Sequence, residues 1–247
     1  MGIALYLLSL AISVGLIIHV FKTGRNFLWI TVLIFLPVAG AVAYFFVELL
    51  PEIRASRTAQ RTVRGVQRTL DPTRDLRRAA DQAQRAGDVA SRQRYADELV
   101  RNGRAAEAVE IYRESATGLF ATDPKLLEGM ARAQFEANDP AGARSTLDNL
   151  IASNPEYKSP DGHLLYARAL AGEGNYAKAI EEYAVLASYY PGAEASVRYA
   201  ELLASQGRRA DAEQLLKELL ERARLAPDHY RKAQRSWLDQ AERALHR

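Results

Sequence analysis

Four pairs of alanines, each pair separated by the same twelve positions, are the strongest constraint on how this chain folds. They are Ala96 and Ala108, Ala131 and Ala143, Ala167 and Ala179, and Ala200 and Ala212. The pairs recur every 33–36 residues. A fixed period of that size marks stacked helical units, each burying a face against the next. Gly103, Gly174 and Gly207, with Asn138 in the second unit, lie between the paired alanines, where a turn between two helices has to fall. Tyr112, Leu147, Tyr183 and Leu216 follow the second alanine at one large apolar position. Alanine at both contact positions lets two helices approach closely, where a larger side chain would overpack. Tyr95, Met130, Tyr166 and Tyr199 immediately precede the first alanines and are placed to fill the space beside that contact. Pro155 and Pro191 close their units.

The third unit runs from His163 through Leu-Leu-Tyr-Ala-Arg-Ala-Leu-Ala-Gly-Glu-Gly-Asn-Tyr-Ala-Lys-Ala-Ile-Glu-Glu-Tyr to Pro191. On these residues, residues 88–224 resemble four tetratricopeptide repeats. The resemblance implies an all-α solenoid that binds other proteins and is not an enzyme. The first unit departs from the pattern. Thr117–Asp123 is inserted before Pro124, which predicts a longer second helix or a wider loop. A solenoid also needs capping helices at its ends. Residues 71–87 supply one: Asp71-Pro72 reads as a helix start, and Leu76, Ala79, Ala80 and Ala83 share a face. Residues 225–247 supply the other, opened by Pro227, with Tyr230, Ala233, Trp237, Ala241 and Ala244 at helical spacing and Trp237 expected buried against the fourth repeat.

Residues 1–50 differ in kind. Gly2–Phe21 and Phe27–Val47 carry no Asp, Glu, Lys or Arg. Each run is close to the ~20 apolar residues that cross a bilayer as a helix. Only Lys22-Thr-Gly-Arg-Asn26 separates them, so the expectation is a two-helix transmembrane hairpin. A cleaved signal peptide fits less well, because no Lys or Arg precedes the first apolar run. Lys and Arg are denser after Pro51 than in the turn, which places the repeats on the cytoplasmic side. The second run, with Trp29, Leu36-Pro37, Gly40 and Tyr44, resembles the N-terminal membrane segment of bacterial cardiolipin synthases. That resemblance implies a bacterial inner (cytoplasmic) membrane protein. The catalytic His-x-Lys-x-x-x-x-Asp motif of that family is absent from this sequence. Pro37 predicts a kink, and Gly40 a close approach to the first helix.

No catalytic motif is present, and the expectation is no enzyme, no metal and no cofactor. The chain has no cysteine, which excludes disulfides and thiolate chemistry. Gly172-Glu-Gly174 belongs to a repeat turn, and His163 occupies a position that usually packs between repeats. The net charge of +3 rests on 33 Lys and Arg against 30 Asp and Glu, too balanced for a nucleic-acid surface.

Partner binding is expected in the groove lined by the first helix of each repeat. The register points Arg94, Arg132, Arg168 and Arg198 there, where they would hold an acidic segment or a C-terminal carboxylate. Intrahelical pairing competes with that role: Asp97 lies three residues after Arg94, Glu128 four before Arg132, and Glu201 three after Arg198. Arg168 has no acid at such spacing. The carboxylate clamp of some tetratricopeptide proteins uses groove asparagines. The equivalent positions here hold Asp97, Arg132, Arg168 and Glu201, which argues against that partner class.

A second surface is expected in the basic juxtamembrane helix of residues 51–70. Arg54, Arg57, Arg61, Arg64 and Arg68 recur three and four apart on one helical stripe, suited either to anionic lipid headgroups or to fixing topology. The functional expectation is a membrane-anchored scaffold for protein partners. The alternative is an accessory subunit of a lipid-synthesis or envelope-assembly complex, engaging partners through its hairpin.

Overall fold

The computed structural model describes residues 2–23, 26–49, 71 and 73–246, with side chains of the first helix described from Ser13 onward. The chain divides into two compact units, residues 1–72 and 73–247. Every regular element among the described residues is helical.

In the first unit, α1 spans Gly2–Thr23. The second apolar run is not one helix. α2 covers Leu28–Phe35, and α3 covers Pro37–Tyr44 and runs into a π-helical turn at Phe45–Leu49. Between them Leu36 sits at φ −132°, ψ 68°, outside the helical region. Pro37 causes the break: it lacks an N–H and disfavours helical backbone in the residue before it. The chain bends sharply there, so that a Cβ added to Gly40 would lie 2.8 Å from the Val32 carbonyl oxygen. Gly40 therefore permits a close approach within this arm, and α3 also packs on α1.

An eight-residue helix is about 12 Å long, well short of the ~30 Å hydrocarbon core. Among the residues whose side chains are described, no helix is long and apolar enough to cross a membrane. The expected transmembrane hairpin, and with it the inner-membrane location and cytoplasmic topology, is corrected on that finding. The accessory-subunit alternative required the hairpin to meet membrane helices and loses its basis too. What organises this unit is a polar–aromatic cluster. Tyr44 is fully buried, bonded through its hydroxyl to His19 Nδ1 at 2.9 Å and packed edge-on by Trp29. Trp29 Nε1 donates to Glu48 at 3.0 Å, and Ser13 Oγ donates to the Pro37 carbonyl at 3.3 Å.

The second unit opens with α4 (Arg74–Ala86), which starts after Thr73 rather than at Asp71-Pro72. Four helical hairpins follow. They are α5 (Val89–Arg101) with α6 (Ala105–Ser115), α7 (Pro124–Glu136) with α8 (Pro140–Ser153), α9 (Pro160–Gly172) with α10 (Tyr176–Tyr189), and α11 (Glu194–Ser205) with α12 (Arg209–Leu225). Each helix packs on the one before and after it, and α7 also touches α5 and α9. The first helices of the hairpins thus form the inner layer.

All eight alanines of the repeat pattern are buried, six of them with no exposed surface. Gly103, Asn138, Gly174 and Gly207 all adopt positive φ, between 64° and 81°, as a left-handed turn requires. Asp123, Asp139 and Ser159 cap the helices that begin at Pro124, Pro140 and Pro160, their side-chain oxygens accepting from backbone N–H groups at 2.8–3.0 Å. The insertion in the first repeat forms a wide loop, since α6 ends at Ser115 and a short 3-10 turn occupies Gly118–Phe120. Between the first two repeats Tyr112 lies against Gly129, where an added Cβ would stand 2.5 Å from the phenolic oxygen.

The C-terminal cap is two helices, not one: α13 (Asp228–Ala233) and α14 (Arg235–Leu245), broken at Gln234. Gln234 turns its amide oxygen back to accept from the Ala193 N–H at 3.0 Å. Trp237, expected buried, is only partly so; Leu238 and Ala241 are the residues sealed against the fourth repeat.

Ala167→Leu and Ala179→Leu each replace a fully buried methyl at the contact of α9 with α10. Each is expected to cost ~1–3 kcal/mol by overpacking, read as a lowered denaturant midpoint with an unchanged slope. Wild-type midpoints in both would show that this contact does not set the spacing.

Candidate functional site

The inner layer brings the four arginines onto first helices, and the partners it gives them match the expected ones only at Arg132. Arg94 is exposed, with its Nε donating to the Ala90 carbonyl at 3.1 Å. Asp97, its expected counter-ion, instead accepts from the Tyr112 hydroxyl at 2.7 Å. Arg132 does pair with Glu128, at 3.1 Å, and Glu128 also accepts from Tyr157 of the next repeat at 3.0 Å. Arg198 pairs with Glu194 at 2.7 Å, while Glu201 accepts from Gln240 of the C-terminal cap at 2.6 Å.

Arg168 is the instructive case. No acid lies near it on its own helix, but the preceding repeat supplies one: Glu136 stands 3.5 Å away. The guanidinium also lies over the Phe135 ring, 4.4 Å from its centroid. Arg198 is held the same way, 5.0 Å over Trp237. Cation–π contact of this kind contributes ~0.5–1 kcal/mol at exposed sites and orients the planar fork. The two arginines are thereby fixed in direction by aromatic residues outside their own helices. In the sequence Phe135 and Trp237 read as packing residues, and only the repeat period could link Phe135 to Arg168.

The tyrosines between repeats are strongly perturbed. Tyr183 is buried and stacks on Tyr199 with ring centroids 6.3 Å apart. Burial pushes the Tyr183 phenol up to about 12, against the opposing pull of Arg198 and Arg168. Tyr112 is pushed up further, first by burial and then by its bond to the Asp97 carboxylate. Tyr190 is raised by burial and by donating to Asp161 at 3.0 Å.

The expected lipid-facing stripe of Arg54, Arg57, Arg61, Arg64 and Arg68 lies outside the described residues.

Residues 129–194 match the tetratricopeptide repeat family, as do residues 167–230 in an overlapping match. Residues 129–230 are thus similar to tetratricopeptide repeats. Solved structures share the fold. A crystal structure of MamA is 20% identical and superposes with a TM-score of 0.51, covering 67% of this chain and 94% of that one. MamA from residue 41 of Desulfovibrio magneticus RS-1 gives 15% and 0.56, covering 68% and 95%. A thermophilic TPR protein of Thermus thermophilus gives 17% and 0.56, covering 70% and 89%. Identities this low speak for the fold alone. No curated protein matches the chain. None of these likenesses supports the cardiolipin synthase resemblance of the second apolar run.

The perturbed tyrosines fix the alkaline limit of the tetratricopeptide unit. Each holds its proton more tightly folded than unfolded, where tyrosine loses it near pH 10. Between that pH and the folded value the unfolded state binds fewer protons, so stability falls as pH rises. The expected result is that absorbance of buried tyrosinate appears only above pH ~11 and coincides with loss of helicity. Full tyrosine ionisation near pH 10 with the fold intact would contradict it.

Proposed function

We propose that this chain is a non-enzymatic tetratricopeptide scaffold that captures an acidic peptide segment, or a C-terminal carboxylate, in the groove of its inner layer. The repeats of residues 88–224, flanked by caps at 71–87 and 225–247, form the binding unit. The observation that carries the reading is the state of Arg168. Its fork is oriented by the Phe135 ring, yet its counter-ion is held loosely, at 3.5 Å and on a half-exposed Glu136. A well-formed charge-assisted pair is ~2.7–2.9 Å long. A partner carboxylate can therefore take the place of Glu136 without dismantling buried structure. Arg132 and Arg198 have tighter partners and serve as flanking contacts, with Arg94 at the open end. A protein partner is supported by the tetratricopeptide fold itself. The membrane and its anionic headgroups, expected above as a second partner, have no such support and form no part of the proposal.

The test uses a fluorescein-labelled acidic octapeptide with a free C-terminus and its lysine counterpart, titrated into the full chain by anisotropy. Arg168→Glu is expected to weaken capture of the acidic peptide about tenfold with helicity retained. Unchanged affinity in that variant, or equal affinity for the two peptides, would sink the reading.

A further inference from the structure

Two features of the first three repeats stand next to each other. The first is the wide loop inserted between α6 and α7. Residues 116–122 carry no charge, Leu119 is 97% exposed, and Phe120 is exposed beside it. The loop is held in one shape all the same. The N–H groups of Phe120, Ala121 and Asp123 donate to the carbonyls of Thr117, Gly118 and Phe120 at 3.0–3.3 Å, and Asn154 Nδ2 donates to the Thr122 carbonyl at 2.9 Å. The second feature is a cleft of about 820 Å³ between the second and third repeats, lined by none of the four groove arginines. Leu147, Leu150 and Tyr166 form its buried wall, and the exposed side chains of Ile151 and Tyr189 stand at its mouth. Asn154, which ties down the loop, also lines the cleft.

We propose that two copies of this chain pair by each seating its Leu119 and Phe120 in the other's cleft. The charged groups on the cleft are already engaged within the chain. Glu182 bonds to His163 Nε2 at 2.7 Å, and His163 Nδ1 to the Tyr189 hydroxyl at 2.6 Å. Asp148 accepts from Tyr166 at 3.0 Å and from Arg144 at 2.6 Å. Lys158 turns its ammonium back to the Pro155 carbonyl at 3.4 Å. What stays open is apolar wall, so the occupant that fits is apolar and uncharged, as residues 116–122 are. In its own copy Leu119 is almost wholly exposed and fills no cleft. A second copy brings the same turn already folded, so docking orders little extra chain. The Asn154 bond sets loop and cleft side by side on one edge. One two-fold axis across that edge therefore seats both loops in both clefts, and the assembly closes as a pair instead of growing. Two loops and two clefts bury on the order of 1,000 Å² together, at the low end of specific interfaces, which fits a reversible dimer. This surface is separate from the arginine groove, and the inference goes beyond peptide capture there.

The chain has no cysteine, so introduced ones report without background. Full-length Leu119→Cys is mixed with full-length Ile151→Cys and oxidised with copper phenanthroline. The mixture is expected to form a disulfide-linked dimer about tenfold faster than Leu119→Cys mixed with Leu225→Cys, whose exposed site ends α12 in the fourth repeat. In sedimentation equilibrium of the full chain, Leu119→Asp is expected to weaken self-association about tenfold, and Leu225→Asp to leave it unchanged. Leu119, Ile151 and Leu225 are all exposed, so none of these replacements disturbs a core. Equal cross-linking rates in the two mixtures, no cross-link to Ile151→Cys, or wild-type association in Leu119→Asp overturns the proposal. The acidic octapeptide, titrated in parallel, reports on the groove, so failure here is distinct from failure there.

Discussion

The repeat unit depends on how closely two helices can approach at a methyl–methyl contact. Ala167 on α9 and Ala179 on α10 are both without exposed surface. With the helices that close, the bulky residues have to stand to either side of the contact. Tyr166 and Tyr183 do so, one before the first alanine and one four residues after the second. The same closeness leaves almost no chain for the turn, which is why a left-handed residue is needed there. Glycine supplies it at no steric cost in three repeats, and Asn138 supplies it in the second. Placing the tyrosine in turn fixes the next repeat: Tyr112 can reach Asp97 only because Gly129 leaves room for its ring.

This chain of dependence explains what is readable in the sequence. Alanine pairs, turn residues and the large apolar position are all local, and repetition separates them from chance. The Asp-Pro and Ser-Pro starts of α7, α8 and α9 are equally local signals that the alanine pattern does not use, each carrying a cap and a proline at its first position. The break at Gln234 is not readable. Its cause is a hydrogen bond to Ala193, 41 residues away, and nothing in the local sequence between Pro227 and Leu245 interrupts the helical pattern. Trp237 misleads for a related reason. Its size suggests burial, but a partly exposed indole under a guanidinium satisfies both groups, while the smaller Leu238 fills the seal.

The N-terminal run shows that apolar composition and helical continuity are separate properties. Residues 27–47 have the composition of a span, yet one proline splits the helix and a glycine lets the halves approach. Ser13 of α1 donates to the Pro37 carbonyl at the start of α3. His19, Trp29 and Glu48 complete a set of polar contacts around Tyr44 that the hydropathy of the run gives no reason to expect.

The arginines escape a local reading for a reason that follows from the architecture. Ion pairs on a helix are sought three or four residues away, and that rule recovers Arg132 with Glu128 but misses Arg168 with Glu136. In a solenoid a residue has a second set of near neighbours, roughly one repeat away. Tyr157 reaches Glu128 and Arg144 reaches Glu173, each across 29 positions. These bonds link adjacent repeats in register, whereas a three- or four-residue pair stabilises only its own helix. A search for partners in such a chain therefore has two periods to honour, that of the helix and that of the repeat. Arg168 reads as unpaired when only the first is applied. Its real environment is a loose acid and an aromatic platform, both from the repeat before.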